Sequence, residues 1–319
     1  MINISQSRHT ARGISYVKPT VAVTQNSIAL PSIAGVPLSR LTALWQLSKP
    51  RVTLLVWLSA LAAMWLPGTS VSLALLFTIA LGVWLVVASA NGWNQVLEWR
   101  YDAWMKRTAH RPIPSGRLSV AEAAAVSTLW GVSGVLVLWL FANPLTAMLG
   151  AFALLSYVLA YTPAKRLTAW CTVIGAVPGA IPPVMGWTAV QGHLSAEALF
   201  LFLMQFLWQF PHFWAIAWKY QREYRDAGFH ILPFDDREGI LLGRLMLGFS
   251  VATVGLSLVP ALIGWRSALY AMGALVLGTW SLRATLAFAR QPEPKTALRV
   301  ILTSVGYLPL WFLWMILTP

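Results

Sequence analysis

The sequence predicts an all-α integral membrane protein built as a bundle of transmembrane helices, and three observations support this. Hydrophobic residues make up 58% of the 319 residues, and only 10% are charged. Soluble domains usually carry about 25% charged residues, so this chain has too little polar surface to cover a water-soluble globule. The apolar residues also fall into runs of about 20, the length that a helix needs to cross a bilayer.

Nine such runs follow one another along the chain, so we expect nine transmembrane helices. Pro and Gly mark the joins, as in LPGTS at residues 66–70 and ANP at residues 142–144. Pro178, Pro182 and Pro183 fall inside the fifth run and predict a kink or break there. The predicted spans are 50–67, 70–97, 119–141, 144–162, 169–190, 195–217, 240–262, 267–289 and 299–317.

Lys and Arg side chains concentrate at one end of the predicted bundle, and Arg266 is the only exception. Loops rich in Lys and Arg usually face the cytoplasm. We therefore expect a cytoplasmic N-terminus and cytoplasmic polar loops in a bacterial inner membrane, with a mitochondrial inner membrane as the alternative. The net charge of +13 then reflects topology, and no nucleic-acid partner is expected. The basic segments are the N-terminus, 98–118, 165–166, 218–239, 290–299 and the adjoining span ends.

Residues 1–45 are expected to form a polar, disordered tail that precedes a membrane domain of residues 46–319. The first 40 residues are rich in Ser, Thr and Val and contain no Asp or Glu. This composition is typical of disordered segments, and it also fits an organelle transit peptide. The short length before the first span favours the bacterial membrane. Cys171 is the single cysteine, which excludes an intramolecular disulfide and a thiolate metal site.

The stretch NQVLEWRYDAWMKRTAHRPIPSGR, residues 94–117, is the most informative part of the chain. Asn94, Glu98 and Asp102 are spaced by four, so on a helix they form one line of oxygen ligands, here called the oxygen stripe. One amide oxygen and two carboxylates suit Mg²⁺, which shares its coordination shell with substrate phosphates. Guanidinium and ammonium groups nearby match phosphate, although a solvated basic loop explains them equally well. These cations are Arg100, Lys106, Arg107, Arg111 and Arg117.

A second group of candidates lies at the end of the fourth span, in YTPAKRLT at residues 161–168. Tyr161, Lys165 and Arg166 are expected at the same membrane face as the oxygen stripe, where cations would bind phosphate. Taken alone, this pattern is an ordinary helix end from which long basic side chains reach the interface.

The sixth span adds polar residues to an aromatic helix and then a charged end. Trp208, Gln209 and His212 are candidates for binding an apolar or porphyrin substrate, and His212 reads either as a hydrogen-bonded structural residue or as a base or haem contact. Glu223 and Asp226 are spaced to bring a second divalent cation to the same diphosphate. They could equally pair with Arg222 and Lys219 at a wet helix end, and Arg222 is also a candidate for binding substrate.

Several segments together resemble the UbiA superfamily of intramembrane prenyltransferases and, within it, the branch that farnesylates protohaem IX. The resemblance runs from about residue 49 to the end of the chain. The motifs M-x-R-T-x-x-R-P, P-P-x-x-G-W and W-Q-x-P-H-F-W are the most specific for that branch. The matching segments are KPRV (49–52), the 94–117 stretch, YTPAKRLT (161–168), GAVPGAIPPVMGW (175–187), FLWQFPHFWAIAW (206–218) and EYRDAGFHILP (223–233).

This resemblance implies a UbiA-type bundle of nine helices around a central cavity, with Mg²⁺ as cofactor. It implies farnesyl diphosphate as donor, haem B as acceptor and haem O as product, which haem A synthase or a terminal oxidase would receive. By motif position, the oxygen stripe would hold Mg²⁺ and diphosphate and act in catalysis. Arg107, Arg111 and Lys165 would hold phosphate oxygens, with Lys165 counted among the catalytic residues.

Three positions depart from the family pattern. Glu98 and Glu223 stand where many relatives have Asp, and Arg100 stands where many have a further Asp. Glu98 remains competent for Mg²⁺, whereas Arg100 removes any role for an extra carboxylate at its position. Three alternatives stay open: a UbiA-type enzyme acting on a quinone precursor or chlorophyllide, a membrane transporter, and a non-catalytic haem-delivery protein.

Overall fold

The structure is a computed structural model, and it describes residues 38–233 and 238–318. Every regular element in the described residues is a helix. The helices are α1 (Leu38–Leu47), α2 (Pro50–Ala63), α3 (Leu73–Asp102), α4 (Val120–Phe141), α5 (Pro144–Leu155), a π-helical turn (Ser156–Tyr161), α6 (Thr162–Leu167), α7 (Cys171–Gln191), α8 (Ala196–Lys219), α9 (Gln221–Asp226), α10 (Ile240–Leu262), α11 (Ala268–Arg290) and α12 (Pro294–Leu317).

Eight of the described helices are long and apolar enough to cross a membrane, counting α5, the π-helical turn and α6 as one. They correspond to the second to ninth predicted spans, and the all-α membrane fold is confirmed. The first predicted span is shorter than expected, because α2 is an apolar helix of 14 residues. At 1.5 Å per residue α2 is roughly 21 Å long, which is less than the hydrocarbon core of a bilayer. By length, therefore, eight of the nine predicted transmembrane helices are found among the described residues.

The region before α2 differs from the expected tail at its end. Residues 38–47 form α1, so the predicted boundary between residues 45 and 46 lies inside a helix. Residues 1–37 lie outside the described residues, and the disordered tail stays a prediction for them.

The long helices contact one another in a closed ring. The order of contact is α2, α3, α4, α5, α7, α8, α10, α11 and α12, and α12 returns to α2. Two further contacts, α2 with α7 and α8 with α12, place these four helices at the centre of the bundle. The central cavity that the resemblance implies stays a prediction.

The fifth predicted span, α7, stays helical across Pro178, Pro182 and Pro183, so a break is absent there and the kink stays a prediction. Each Pro removes a backbone donor, which a helix tolerates when neighbouring helices hold the segment. Most of α7 is buried, and it packs against α2, α5 and α8. Gly186 permits this packing, because a Cβ atom there would run into the carbonyl group of Ala60 in α2.

Several connections that carry charged residues meet at one end of the ring. α3 ends at Asp102, α2 begins after Lys49, and α6 ends at Leu167. The backbone N–H of His230, in the segment after α9, donates to the carbonyl of Lys165 at 2.7 Å. These contacts bring the polar segments of both halves of the chain to the same end of the bundle.

Candidate metal and diphosphate site

The oxygen stripe occupies the last turns of α3 and is almost fully buried. Asn94 is 1% exposed, Glu98 6% and Asp102 1%. Charged groups are costly to bury unless they are paired. The predicted spacing by four is confirmed as a single helical line, because all three residues lie within the continuous helix α3.

Each member of the stripe has its own cationic partner, and each partner comes from a different segment. Lys49 Nζ donates to Asn94 Oδ1 at 2.7 Å. Lys165 Nζ, from α6, lies 2.8 Å from Glu98 Oε1 and 3.1 Å from Glu98 Oε2. Arg111 Nη1, from the loop after α3, lies 2.6 Å from Asp102 Oδ2. We call Lys49, Lys165 and Arg111 the cation set.

Lys49 is a site residue that the reasoning from sequence missed. It has a φ of 49°, the only positive φ at a non-glycine among the described residues, and such strained conformations concentrate at functional sites. Burial, reinforced by the charges of Arg111 and Lys165, lowers its pKa well below the usual range. The available signal is a Lys directly before the Pro that begins the first apolar run, within the KPRV segment.

Thr162 is a second residue that sequence reasoning missed. Its hydroxyl donates to the carbonyl of Tyr157 at 2.9 Å and accepts from Asn94 Nδ2 at 3.4 Å. Because the amide nitrogen of Asn94 is engaged by Thr162, the amide oxygen faces the Lys49 ammonium group. Thr162 therefore orients Asn94 as an acceptor for a cation.

Arg107 joins the loop after α3 to α9. Its Nη2 donates to the hydroxyl of Tyr224 at 2.8 Å, and its guanidinium carbon lies 5.3 Å from the ring centre of Tyr220 and 5.4 Å from that of Tyr224. Its Nε is buried without a hydrogen-bond partner. Buried donors are nearly always satisfied, so this Nε lacks an acceptor that a bound anion could supply.

The roles expected for Glu223 and Asp226 are not seen. Glu223 Oε2 accepts from the backbone N–H of Arg107 at 3.3 Å, and Asp226 is exposed. No ion pair joins either carboxylate to Arg222 or Lys219 in the described residues. No group of three His, Cys, Asp or Glu side chains in that part of the chain could hold a metal by itself, and a second cation held by Glu223 and Asp226 together with a diphosphate stays a prediction. Glu223 instead fixes the backbone next to Arg107.

The other cationic candidates lie around the rim of the cluster. Lys106, Arg166 and Arg222 are exposed, and Arg166 stacks on the ring of Tyr101 at 4.3 Å. Tyr161 lies beneath Lys165, with 4.7 Å between the ammonium nitrogen and the ring centre. Exposed cations of this kind can attract a diphosphate, whereas the buried cation set can hold it.

The candidates of the sixth span lie in the second half of α8 and have their hydrogen-bond partners in other helices. Trp208, Gln209 and His212 precede the end of α8 by 7 to 11 residues, which is roughly 10–16 Å along the helix. Gln209 Nε2 donates to the carbonyl of Ala176 at 3.0 Å, and this contact holds α8 against α7. The structure therefore does not bring these residues into the ion-paired cluster.

His212 has a defined partner in α12. Its Nδ1 lies 2.8 Å from the hydroxyl oxygen of Ser304, and Trp208 Nε1 donates to the carbonyl of Ser304 at 2.9 Å. The rings of Trp208 and His212 stack with centres 5.3 Å apart. His212 thus makes a structural hydrogen bond through Nδ1. Its role as a base or haem contact through Nε2 stays a prediction.

The donor set of the oxygen stripe fits Mg²⁺. It offers one amide oxygen and two carboxylates, which are the hard oxygen ligands that this ion prefers, and it offers no competing sulfur or imidazole ligand. The buried cation set nearby fits the phosphate oxygens that usually complete the shell of Mg²⁺. The arrangement can therefore hold a divalent cation and an anion side by side.

Comparison with known proteins decides the family. The model of the UbiA prenyltransferase family matches residues 55–316. The chain belongs to the UbiA prenyltransferase family. The matched region contains the whole oxygen stripe, Lys165 and Arg111, and it begins six residues after Lys49.

Two bacterial relatives carry a more specific name. The protein of Solibacter usitatus named protoheme IX farnesyltransferase is 41% identical over 275 residues, which cover 83% of this chain and 94% of the relative. The protein of the same name from Koribacter versatilis is 40% identical over 283 residues, covering 85% of this chain and 91% of the relative. The alignment of this UbiA-family chain with those relatives thus extends over nearly their full length.

Solved structures agree on the fold of the family. A digeranylgeranylglyceryl phosphate synthase superposes with a TM-score of 0.71 at 16% identity, covering 88% of this chain and 98% of that one. A UbiA homologue from Archaeoglobus fulgidus bound to GPP and Mg²⁺ superposes with a TM-score of 0.61 at 14% identity, covering 86% and 99%. Identities this low establish the shared fold alone.

Proposed function

We propose that this chain transfers the farnesyl group of farnesyl diphosphate to a vinyl group of haem B, with addition of water, and produces haem O and diphosphate. The observation that carries the proposal is the buried oxygen stripe beside a buried cation set, since these two groups suit a metal diphosphate. The acceptor is inferred from relatives named protoheme IX farnesyltransferase, which are 40–41% identical over most of the chain.

The oxygen stripe would hold Mg²⁺, and the Archaeoglobus fulgidus homologue bound to GPP and Mg²⁺ supports this use of the fold. When bound, the ion would neutralise charge that develops on the departing diphosphate. The cation set and Arg107 would bind phosphate oxygens, because guanidinium and ammonium groups stabilise that charge in the transition state.

The cation set must change partners for this to happen. Lys49 now donates to the amide oxygen of Asn94, while Lys165 and Arg111 neutralise the two carboxylates of the stripe. A diphosphate offers these cations new oxygen partners, and their departure frees the stripe oxygens for the metal. Pairing in this form also keeps the buried carboxylates compensated before substrate arrives.

The reaction proceeds in an apolar interior. The C1–oxygen bond of farnesyl diphosphate breaks, the electron pair leaves with diphosphate, and C1 forms a bond to the terminal vinyl carbon of haem. Water then adds to the other vinyl carbon and loses a proton, which leaves a hydroxyl group. Trp208, Gln209 and His212 lie roughly 10–16 Å inside the end of α8, at a depth suited to the acceptor.

Location and partners complete the proposal. The distribution of Lys and Arg favours a site on the cytoplasmic side of a bacterial inner membrane, where a soluble diphosphate would arrive. A mitochondrial inner membrane is the alternative. The product would pass to haem A synthase or directly to a terminal oxidase.

The proposal is tested by expressing the full chain and measuring, by mass spectrometry, a haem heavier by a farnesyl group and water. Asp102→Ala should abolish that product, because it removes a buried ligand and leaves Arg111 without its partner. Glu122→Ala is the matched control, since this carboxylate pairs with Arg40 at the surface, and it should keep full activity. Retained Mg²⁺-dependent turnover by a folded Asp102→Ala variant would overturn the metal assignment.

Three further measurements separate the alternatives. Prenylation of an aromatic acid or chlorophyllide in preference to haem B would identify a different UbiA-type enzyme. Substrate flux into liposomes without consumption of farnesyl diphosphate would identify a transporter. Haem binding without product in the presence of Mg²⁺ and donor would identify a delivery protein.

A further inference from the structure

A cavity of about 330 Å³ lies at the end of the bundle opposite the oxygen stripe, and we call it the far-end cavity. Its wall includes residues that follow α2, end α7, precede α11 and end α12, such as Leu66, Gln191, Arg266 and Met315. α7 begins near the ion-paired cluster and ends at this wall, and its 21 residues span roughly 30 Å. The far-end cavity is therefore distinct from the candidate metal and diphosphate site.

Arg266 brings a positive charge to the wall of the far-end cavity, and no described carboxylate lies within ion-pair distance of it. Its Nη2 donates to the carbonyl of Leu66 at 3.1 Å and its Nη1 to that of Trp265 at 3.4 Å, while its Nε is buried without a partner. No ion pair involves it in the described part of the chain. Arg266 is also the one Lys or Arg that departs from the charge asymmetry of the sequence. Because a guanidinium group stays protonated in proteins, its unused donor requires an acceptor.

Trp187, another residue of the cavity wall, carries a second unsatisfied donor. Its side chain is 8% exposed, and its indole Nε1 is buried without a hydrogen-bond partner. Indole nitrogen is a donor only, so it cannot be satisfied by another donor. Two unpaired N–H groups and one positive charge in the wall of a single cavity suit an anion with several acceptor oxygens.

The remaining wall selects the rest of the ligand. Phe200, Leu201, Trp265 and Met315 give it an apolar surface, and Leu201 and Phe200 are almost fully buried. Glu197 also lies in the wall, in the first turn of α8, where a carboxylate is favourable to the helix N-terminus. An apolar wall next to anion donors suits a molecule that carries a charged head on a hydrocarbon body.

We propose that the far-end cavity binds the phosphate group of a membrane amphiphile, with Arg266 and Trp187 as its donors. The phosphate oxygens accept from Arg266 Nε and Trp187 Nε1, and the apolar wall contacts the beginning of the hydrocarbon chains. This site lies at the membrane face opposite the oxygen stripe. Lipid binding there does not depend on the proposed farnesyl transfer.

The test uses the purified full-length chain, stripped of lipid in detergent, and isothermal titration with dihexanoyl phosphatidylglycerol and with inorganic phosphate. We expect the lipid to bind, and to bind more tightly than inorganic phosphate. Arg266→Gln should weaken lipid binding about tenfold or more, since hydrogen bonds to charged groups are the strong ones. Trp187→Phe should weaken it several-fold, and Arg266→Lys should retain part of the affinity.

Arg283→Gln, at an exposed arginine of α11 that lies outside the cavity wall, is the matched control and should bind as the wild type does. Unchanged melting temperatures and unchanged Mg²⁺-dependent diphosphate binding would show that the variants are folded and that the other end is intact. Equal lipid affinity in the wild type and Arg266→Gln would overturn the anion site. Equal affinity for inorganic phosphate and lipid would overturn the assignment of the ligand as an amphiphile. If the wild type binds no diphosphate in the presence of Mg²⁺ but still binds the lipid, the proposed farnesyl transfer is rejected and the lipid site is not.

Discussion

The ion pairs of the chain differ in burial, and burial decides how much each contributes. The side chains of Lys165 and Glu98 are 11% and 7% exposed, whereas those of Arg40 and Glu122 are 42% and 35% exposed. Removing one partner of a buried pair leaves an uncompensated charge away from water. At the surface, water and salt replace the lost partner.

Glu98→Gln should therefore destabilise the protein by about 3–5 kcal/mol, because the Lys165 ammonium group would remain buried without a counter-charge. Glu122→Gln should cost about 0–1 kcal/mol, since the pair is exposed and Gln still serves the capping box with Ser119. Chemical denaturation in detergent, followed by circular dichroism, measures both. Equal losses of stability in the two variants would contradict the importance of the buried pair.

Lys49 tests the exchange of partners within the site. Lys49→Met removes the ammonium group that occupies Asn94 Oδ1, so Mg²⁺ alone should bind more tightly, by about threefold or more. The same change should weaken diphosphate binding in the presence of Mg²⁺ by about tenfold, because one charge-assisted contact is lost. Titration calorimetry of each ligand separates the two effects. A decrease in both affinities would show that Lys49 only supports the fold.

Among the helices, the contact between α2 and α7 depends on a single glycine. Gly186→Ala should destabilise the bundle by about 1–3 kcal/mol, because its Cβ would collide with the carbonyl of Ala60 and separate the two helices. Gly248→Ala in α10 is the matched control, since a Cβ there meets no atom within 4 Å. It should leave stability unchanged or raise it by up to about 1 kcal/mol. Thermal unfolding of both variants in one detergent checks the pair, and a stable Gly186→Ala variant would refute the close approach.

Helix positions followed from hydropathy because burial in lipid depends on the local sequence. The bounds of α4 and α10 lie within a residue of the predicted spans 119–141 and 240–262. Features that depend on tertiary packing did not follow from hydropathy. A break at the prolines of α7 is absent because neighbouring helices hold that segment. The end of α2 at Ala63 was not predicted, because the apolar run continues beyond it.

At the scale of the whole molecule, the oxygen stripe was predictable because its spacing lies within one helix. Its partners were less so, since Lys49 is 45 residues from Asn94 and Lys165 is 67 residues from Glu98. Residue type had suggested phosphate binding for Lys165 and Arg111, but their present pairing with the stripe is a property of the fold. Lys49 and Thr162 lie outside the charge-rich stretch of residues 94–117.

Orientation is the remaining property of the whole molecule that the sequence predicts, and it can be tested with single cysteines. Cys171 is the only cysteine and is buried, so Cys171→Ser provides a background for labelling. Ser115→Cys lies exposed at the basic end, and His193→Cys lies exposed at the opposite end. If the basic end is cytoplasmic, an impermeant maleimide applied to intact bacterial spheroplasts should label His193→Cys.

Ser115→Cys should react only after the membrane is opened, and the ratio of labelling before and after opening is the measurement. Both variants should react fully in detergent, which controls for burial of the new thiol. The opposite pattern would place the oxygen stripe on the outer face, where a cytoplasmic diphosphate could not reach it. Labelling therefore tests the topology and the access of the donor to the site in one experiment.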